Sequence, residues 1–382
     1  MPEFTIGIEE EFQIVDRKTL GLKSHVSEML QAGGPVLGDQ LHPEMLQSVV
    51  EVATKICKDV GEAREELVRL RGGLAALSAP DLTISGSGTH PVSDWRDQAV
   101  TEGARYLKMM EDMGDVARTL AIFGLHVHVQ IENRDHAIHV FNQARYFLPH
   151  LLALSTSSPF WMGRLTGLKS YRHAIWNQMP RTGMPDTFES YSHFQSFVDL
   201  LVQTNCIDDG KRIWWDIRPH PYFNTLEFRV CDMQSSIEDS LALAALSQAI
   251  VARLYDLRIN NLGFREYPRA ALAENRWRAM RYGLDGNLID FGKREEVPER
   301  KLIEELLKFV EPVVDDLNSR REINHIGEIL ETGTSADRQI KVWEETHDMD
   351  AVTRMIMDET MAGIEPVESE VQGVAVAAPA VV

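Results

Sequence analysis

Glu9 and Glu11 lie two residues apart in Thr5–Val15 (TIGIEEEFQIV), a stretch otherwise apolar enough to be a buried strand. Along a strand successive side chains face opposite ways. Ile6, Ile8, Glu10, Phe12 and Ile14 therefore share one face, and Gly7, Glu9, Glu11 and Gln13 share the other. Two neighbouring carboxylates repel, more so when buried, unless protons or a cation compensate them. A bound metal would do so, although a solvated acidic edge strand is the simpler account of the pair taken alone. Glu10 falls on the apolar face and requires an Arg, a Lys or a strand end.

Three other stretches repeat the anomaly. In His42–Thr54, Glu51 interrupts Val49, Val50 and Val52. In Gly124–Ile131 (GLHVHVQI), His126, His128 and Gln130 alternate with Leu125, Val127, Val129 and Ile131. In Thr225–Asp232 (TLEFRVCD), Glu227 and Arg229 lie opposite Leu226, Phe228 and Val230. Each has an ordinary reading, a satisfied structural histidine or a Glu–Arg pair within a sheet. Together, Glu9, Glu11, Glu51, His126 and Glu227 would converge on the polar face of one sheet. A carboxylate-rich set with one imidazole suits Mg²⁺ or Mn²⁺, whereas a closed zinc site would use more Cys and His.

The cations add a second half to this chemistry. Ser157–Gly183 mixes Gly, Pro, Trp and Tyr too densely for a plain helix and carries Arg164, Lys169, Arg172 and Arg181. A strand over Arg212–Pro219 would place Trp214, Asp216 and Arg218 on one face. Divalent metal together with arginine forks on phosphate oxygens is the equipment of phosphoryl transfer. The chain has no GxxxxGK[ST], GxGxxG or kinase signature, so a nucleotide site would be of another kind.

Helices must carry and cover such a sheet. Apolar spacing predicts a short helix over Ser24–Ala32 and an amphipathic surface helix over Asp59–Ser78. Leu82–Ser87 is a short strand leading into the Gly86–Pro91 loop (GSGTHP). Helices follow over Glu102–Leu120 and Asp135–Ser155, the second kinked or broken at Pro149. Ser236 is a candidate N-cap for a long apolar helix through Asp256. Lys301–Leu317 and Asp337–Met361 are amphipathic helices, and NRWRAMRYG (Asn275–Gly283) is a further Arg/aromatic cluster.

The 382 residues carry a formal charge of −19, which argues against a nucleic-acid partner. Cys57, Cys206 and Cys231 lack CxxC spacing and read as reduced structural residues. With no signal-like start and no apolar run of membrane length, the expected setting is the cytoplasm, without a membrane partner. The expected organisation is a single catalytic domain over 1–362, with a sheet-bearing core at 1–260, a mostly helical part at 261–362 and a flexible tail at 363–382.

In order, GIEEEF, VVEVAT, GTHP, GLHVHV, SPFW with TGLKSYR, PRTG, WWDIRP and TLEFRV with a following Asp resemble the YbdK-like carboxylate–amine ligases of glutamate–cysteine ligase family 2. The resemblance runs from about Phe4 to Leu284. It implies an α+β, glutamine synthetase-like fold: a curved antiparallel sheet of about six strands with a concave active-site face, backed by helices. It also implies metal ligation by Glu9, Glu11, Glu51, His126 and Glu227, with Glu44 as an extra ligand, and places Arg229 at the γ-phosphate. ATP and Mg²⁺ (or Mn²⁺) are then the cofactors. Arg218, Arg229, Arg172 and Lys169 would bind the nucleotide, and Arg229 with Arg172 or Arg181 would neutralise the transferring group. The implied reaction joins glutamate, through an acyl phosphate, to an amine such as cysteine, in a protein compatible with a homodimer. Other readings are a different amine acceptor, a metal-dependent amide hydrolase using His126 and His128, and a non-catalytic sensor of ATP and metal.

Overall fold

The computed structural model describes residues 2–78 and 80–366. The expected tail lies, from residue 367 onwards, outside the described residues.

Seven strands form the main sheet: β1 (Ile6–Asp16), β2 (Leu41–Pro43), β3 (Val49–Ala53), β4 (Leu82–Ser85), β5 (Gly124–Gln130), β10 (Ile217–Pro219) and β11 (Thr225–Asp232). The intervening two-residue strands β6 (Phe160–Trp161), β7 (Arg164–Leu165), β8 (Thr182–Gly183) and β9 (Trp214–Trp215) pair among themselves. The order across the main sheet is β10-β11-β5-β1-β3-β2, every pairing is antiparallel, and β4 pairs with the second half of β1. This is the antiparallel α+β architecture expected from the resemblance.

Register converts the separate alternations into one surface. Residues directly opposite each other in neighbouring strands point to the same face. Arg218 lies opposite Glu227, Glu227 opposite His128, Glu9 opposite His126, and Glu11 opposite Glu51. The row Ile217, Phe228, Val127 and Ile8 runs along the other face and is buried. A bulge interrupts the β5–β11 ladder between Phe228 and Cys231. Val230 and Cys231 consequently both enter the core cluster. Asp232, which strict alternation would have placed with Phe228, turns to the polar side instead.

Helices α2 (Val60–Leu77), α5 (Arg134–Ala144), α6 (Leu148–Ser155) and α9 (Ile237–Ile259) cover the apolar face. Among the described residues α9 is the one helix long and apolar enough to cross a membrane, and most of it is buried in the protein. Cys57 and Cys231 are buried, while Cys206 is exposed.

Glu10 finds its partner on α2. Arg71 Nε donates to Glu10 Oε2 at 2.9 Å and Nη2 to Oε1 at 2.5 Å, and the Ser240 hydroxyl donates to Oε1 at 2.6 Å. Both charged side chains are 0% exposed. The helix read as a surface element therefore sends an arginine through the core layer. Arg71 sits on the stripe of Leu67, Leu70 and Leu74, at the spacing that puts residues on one helix face.

Several other elements depart from the expectations. Asp135–Ser155 is two helices separated by a 3₁₀ turn at Arg145–Phe147, and Pro149 occupies the first turn of α6, where its missing N–H costs nothing. The Arg212–Pro219 strand is broken, because Asp216 turns to Arg276, which donates to both of its oxygens. Asp337–Met361 divides into two helices at His347, which adopts a left-handed conformation. A helix at Arg320–Thr332 and a hairpin pairing Asn287–Asp290 with Glu295–Pro298 had no expectation attached to them.

Candidate active site

The polar face of the sheet floors a cavity of about 700 Å³. Glu9, Glu11, Glu44, Glu51, His126 and Glu227 all line it, as do Arg172, Arg218 and Arg229. Six acidic or imidazole groups expected at a metal site thus reach one space: the antiparallel register brings five of them together on β1, β3, β5 and β11, and Glu44 joins them from the residue after β2.

Glu9, His126 and Glu227 have ligand atoms within 4.8 Å of one another. His126 Nδ1 meets Glu9 Oε2 at 3.0 Å, while its Nε2 is buried without a hydrogen-bond partner. A buried imidazole nitrogen so oriented, beside two carboxylates, is a competent metal ligand. Burial, then the Arg229 guanidinium, pushes His126 down to about 4, so the ring is neutral as ligation demands. His128 differs. Its Nδ1 meets Thr225 Oγ1 at 3.1 Å and its Nε2 meets Glu9 Oε1 at 3.1 Å.

The other carboxylates crowd one another. Burial, then the charges of Glu9, Glu44 and Glu11, raises Glu51 well above the ordinary carboxyl range. Burial, then Glu44, raises Glu11 to about 7. Glu44 is raised by burial even with Arg105 opposing. Burial and mutual repulsion favour the protonated forms of these carboxyls, and divalent ions would take the place of the protons. An oxygen-rich donor set with one free imidazole nitrogen fits Mg²⁺ or Mn²⁺.

Arginines supply the opposing charge. Arg218 donates from Nε to Glu227 Oε2 at 2.7 Å and from Nη2 to Oε1 at 3.1 Å, and Arg229 also donates to Glu227 Oε1. Against the effect of burial, Arg218 and Arg229 hold Glu227 far below the usual carboxyl range. Arg172 Nη2 donates to the Arg229 carbonyl at 3.3 Å, and its buried Nε has no acceptor. The room for this guanidinium comes from Gly124. A Cβ there would collide with Arg172 Nη2 and lie 3.0 Å from His126 Nε2. The Gly124 N–H also donates to Glu11 Oε2 at 2.5 Å.

Two of the expected cations, Lys169 for the nucleotide and Arg181 for the transferring group, do not line the cavity. Lys169 bridges Asp285 at 3.1 Å and Asp337, tying its loop to the C-terminal helices. Arg181 Nε donates to the Arg212 carbonyl at 3.0 Å and its guanidinium lies over the Trp214 ring. Both cations serve local packing. Conversely, Arg105, Trp176 and Trp214 line the cavity without having been singled out for it. Arg105 sits on an exposed helix, Ala104–Met113, and nothing in its neighbourhood in sequence separates it from an ordinary surface cation.

The sequence profile described as glutamate-cysteine ligase family 2 matches residues 5–357. A protein of Sorangium cellulosum, provisionally named glutamate–cysteine ligase 2, is 54% identical over 95% of this chain and 97% of its own length. A protein of Chloroflexus aurantiacus with the same provisional name is 52% identical over 97% of this chain and 95% of its own. Among solved structures, a glutamate–cysteine ligase of Francisella tularensis in complex with AMP shares the fold, with a TM-score of 0.71 at 14% identity over 97% of this chain and 90% of that one.

Proposed function

Since the chain belongs to glutamate–cysteine ligase family 2, a family of ATP-dependent carboxylate–amine ligases, we propose that it joins the γ-carboxylate of L-glutamate to an amine, with L-cysteine as the acceptor, giving γ-glutamylcysteine, ADP and phosphate. The observation that carries this reading is one concave face holding both a ligand-competent trio, Glu9, His126 and Glu227, and the arginines that oppose them.

A glutamate carboxylate oxygen attacks the γ-phosphorus, the bond to the β–γ bridging oxygen breaks, and ADP departs. The acceptor nitrogen then attacks the acyl carbon, phosphate leaves, and the proton lost by the amine passes to the departing phosphate. Glu9, Glu11, Glu44, Glu51, His126 and Glu227 would hold Mg²⁺, which when bound supplies charge neutralisation on the phosphate oxygens. Arg229 and Arg172 present guanidinium N–H groups to the same region and stabilise the charge on the transferring phosphoryl group. Arg218 holds Glu227 in place, and Gly124 leaves Arg172 its approach.

An amide hydrolase built on His126 and His128 finds less support. Both ring nitrogens of His128 already have partners, so the pair offers one free nitrogen between them. The test is ADP release with Mg²⁺-ATP and glutamate while a panel of amines is varied. Release that depends on both glutamate and one amine is expected, and Glu227→Gln should abolish it while leaving the fold intact. Near-wild-type ADP release from Glu227→Gln, or release indifferent to glutamate, would overturn the proposal.

A further inference from the structure

Asp232 ends β11 beyond the bulge and is fully buried, outside the carboxylates assigned above. Three protein donors converge on it. Oδ2 accepts from the Ser157 N–H at 3.1 Å and the Ser158 hydroxyl at 2.7 Å, and Oδ1 accepts from the Ser170 hydroxyl at 2.8 Å. The cation beside it is Arg172, whose Nη1 stands 3.9 Å from Oδ1. The Ser158 hydroxyl also accepts the Arg172 backbone N–H at 3.1 Å. Backbone and side chain of Arg172 are therefore both tied to this carboxylate, one through Ser158 and one through charge.

The surroundings are shaped for this arrangement. A Cβ on Gly88 would lie 2.7 Å from Asp232 Cγ, so the Gly86–Pro91 loop can close over the carboxylate only because residue 88 is glycine. The Gly88 N–H donates to the Ser157 hydroxyl at 2.8 Å, and that hydroxyl donates to the Met233 carbonyl at 2.7 Å. Three loop segments, 86–91, 157–158 and 170–172, are thus pinned to the end of one strand. Arg172 leaves this knot with a buried Nε that has no acceptor, in the wall of the cavity.

We propose that Asp232 is the positioning residue for Arg172: with Ser158 and Ser170 it fixes the guanidinium over Gly124, in the cavity wall where it neutralises the transferring phosphoryl group. This rests on the ligase reading of the cavity. A buried carboxylate that only stabilised the fold would contribute independently of Arg172. One that works through Arg172 contributes nothing once Arg172 is gone.

The experiment is a double-mutant cycle on the full chain, using Asp232→Asn, Arg172→Gln and the double variant, with ADP release read under Mg²⁺-ATP, glutamate and cysteine. Asp232→Asn is expected to lower kcat on the order of 10–100-fold, the range for losing a charge-assisted contact, with little change in KM for glutamate. The double variant should be no slower than Arg172→Gln alone. Ser170→Ala, which removes one donor and leaves the charge, should show a smaller kcat loss that likewise vanishes in the Arg172→Gln background. This variant keeps the test open if Asp232→Asn fails to fold. Losses that multiply in the double variants would overturn the assignment. Wild-type protein that releases no ADP with any amine would instead overturn the ligase reading, and the cycle is then read in Mg²⁺-ATP binding by calorimetry, where the same non-additivity is expected.

Discussion

Replacing Arg71 by methionine tests how the metal-facing strand is held. Arg71 and Glu10 are both fully buried, and two N–H groups of the guanidinium engage both oxygens of Glu10. Arg71 Nη1 also donates to the Ser235 carbonyl at 2.7 Å, linking α2 and β1 to the chain that enters α9. Arg71→Met leaves a buried carboxylate with the Ser240 hydroxyl as its remaining partner. Removing one member of a buried pair costs about 3–5 kcal/mol, mostly the penalty of the charge left behind. A chain of this size has an unfolding entropy of roughly 0.8 kcal/mol per degree, so Tm should fall by about 4–6 °C. The double change Glu10→Leu/Arg71→Met removes both charges and should cost far less than the two single changes added together. Urea unfolding of the four proteins measures this coupling. Because Glu10 lies between Glu9 and Glu11, Arg71→Met should also weaken Mg²⁺ binding, whereas the double variant should restore it in part. Additive losses, or a single-variant cost below about 1 kcal/mol, would refute the view that an uncompensated buried charge sets the penalty.

Three other outcomes follow from the same geometry. Glu51→Gln removes one of four mutually repelling carboxylates, so in EDTA its Tm should exceed that of the wild type while activity with Mg²⁺ falls; a lower Tm in EDTA would contradict the crowding. Gly124→Ala forces Arg172 or His126 to move, and kcat should drop on the order of 10-fold or more with the circular dichroism spectrum unchanged; full activity would mean that the guanidinium need not sit there. His325 Nε2 donates to Asp239 Oδ1 at 2.8 Å, and this bond raises the imidazole above its ordinary value of 6.5. A raised folded-state value gives stability that is complete below pH 6.5 and is lost as pH rises through the folded value. The Tm difference between wild type and His325→Gln should therefore shrink from pH 5.5 to pH 9, and a difference that grows would reverse the assignment.

Alternation within single strands made much of the site legible before any fold was known. Glu9, Glu11, Glu51, His126 and Glu227 were each visible as polar residues on one face of an otherwise apolar strand, because a period of two is local and survives in sequence. Their approach to one another was not local. Only the register, Glu9 opposite His126 and Glu11 opposite Glu51, turned five separate anomalies into one cavity floor. Where the period breaks, sequence reading misleads. The bulge after Phe228 turns Asp232 away from the core face, and nothing in TLEFRVCD marks that extra residue. Cations were the least legible of all. Lys169 and Arg181 share a loop with Arg172, yet Arg172 lines the cavity, Lys169 bridges aspartates outside it, and Arg181 engages the lining residues Arg212 and Trp214 without reaching the cavity itself. A long flexible side chain is directed by partners distant in sequence: Asp232 for Arg172, Asp285 and Asp337 for Lys169, and Glu10 for Arg71. The sequence by itself therefore determined which residues could do chemistry and which faces they shared. The tertiary structure decided which of them meet, because long-range pairing, a single bulge and the burial of individual charges depend on contacts that no local pattern encodes.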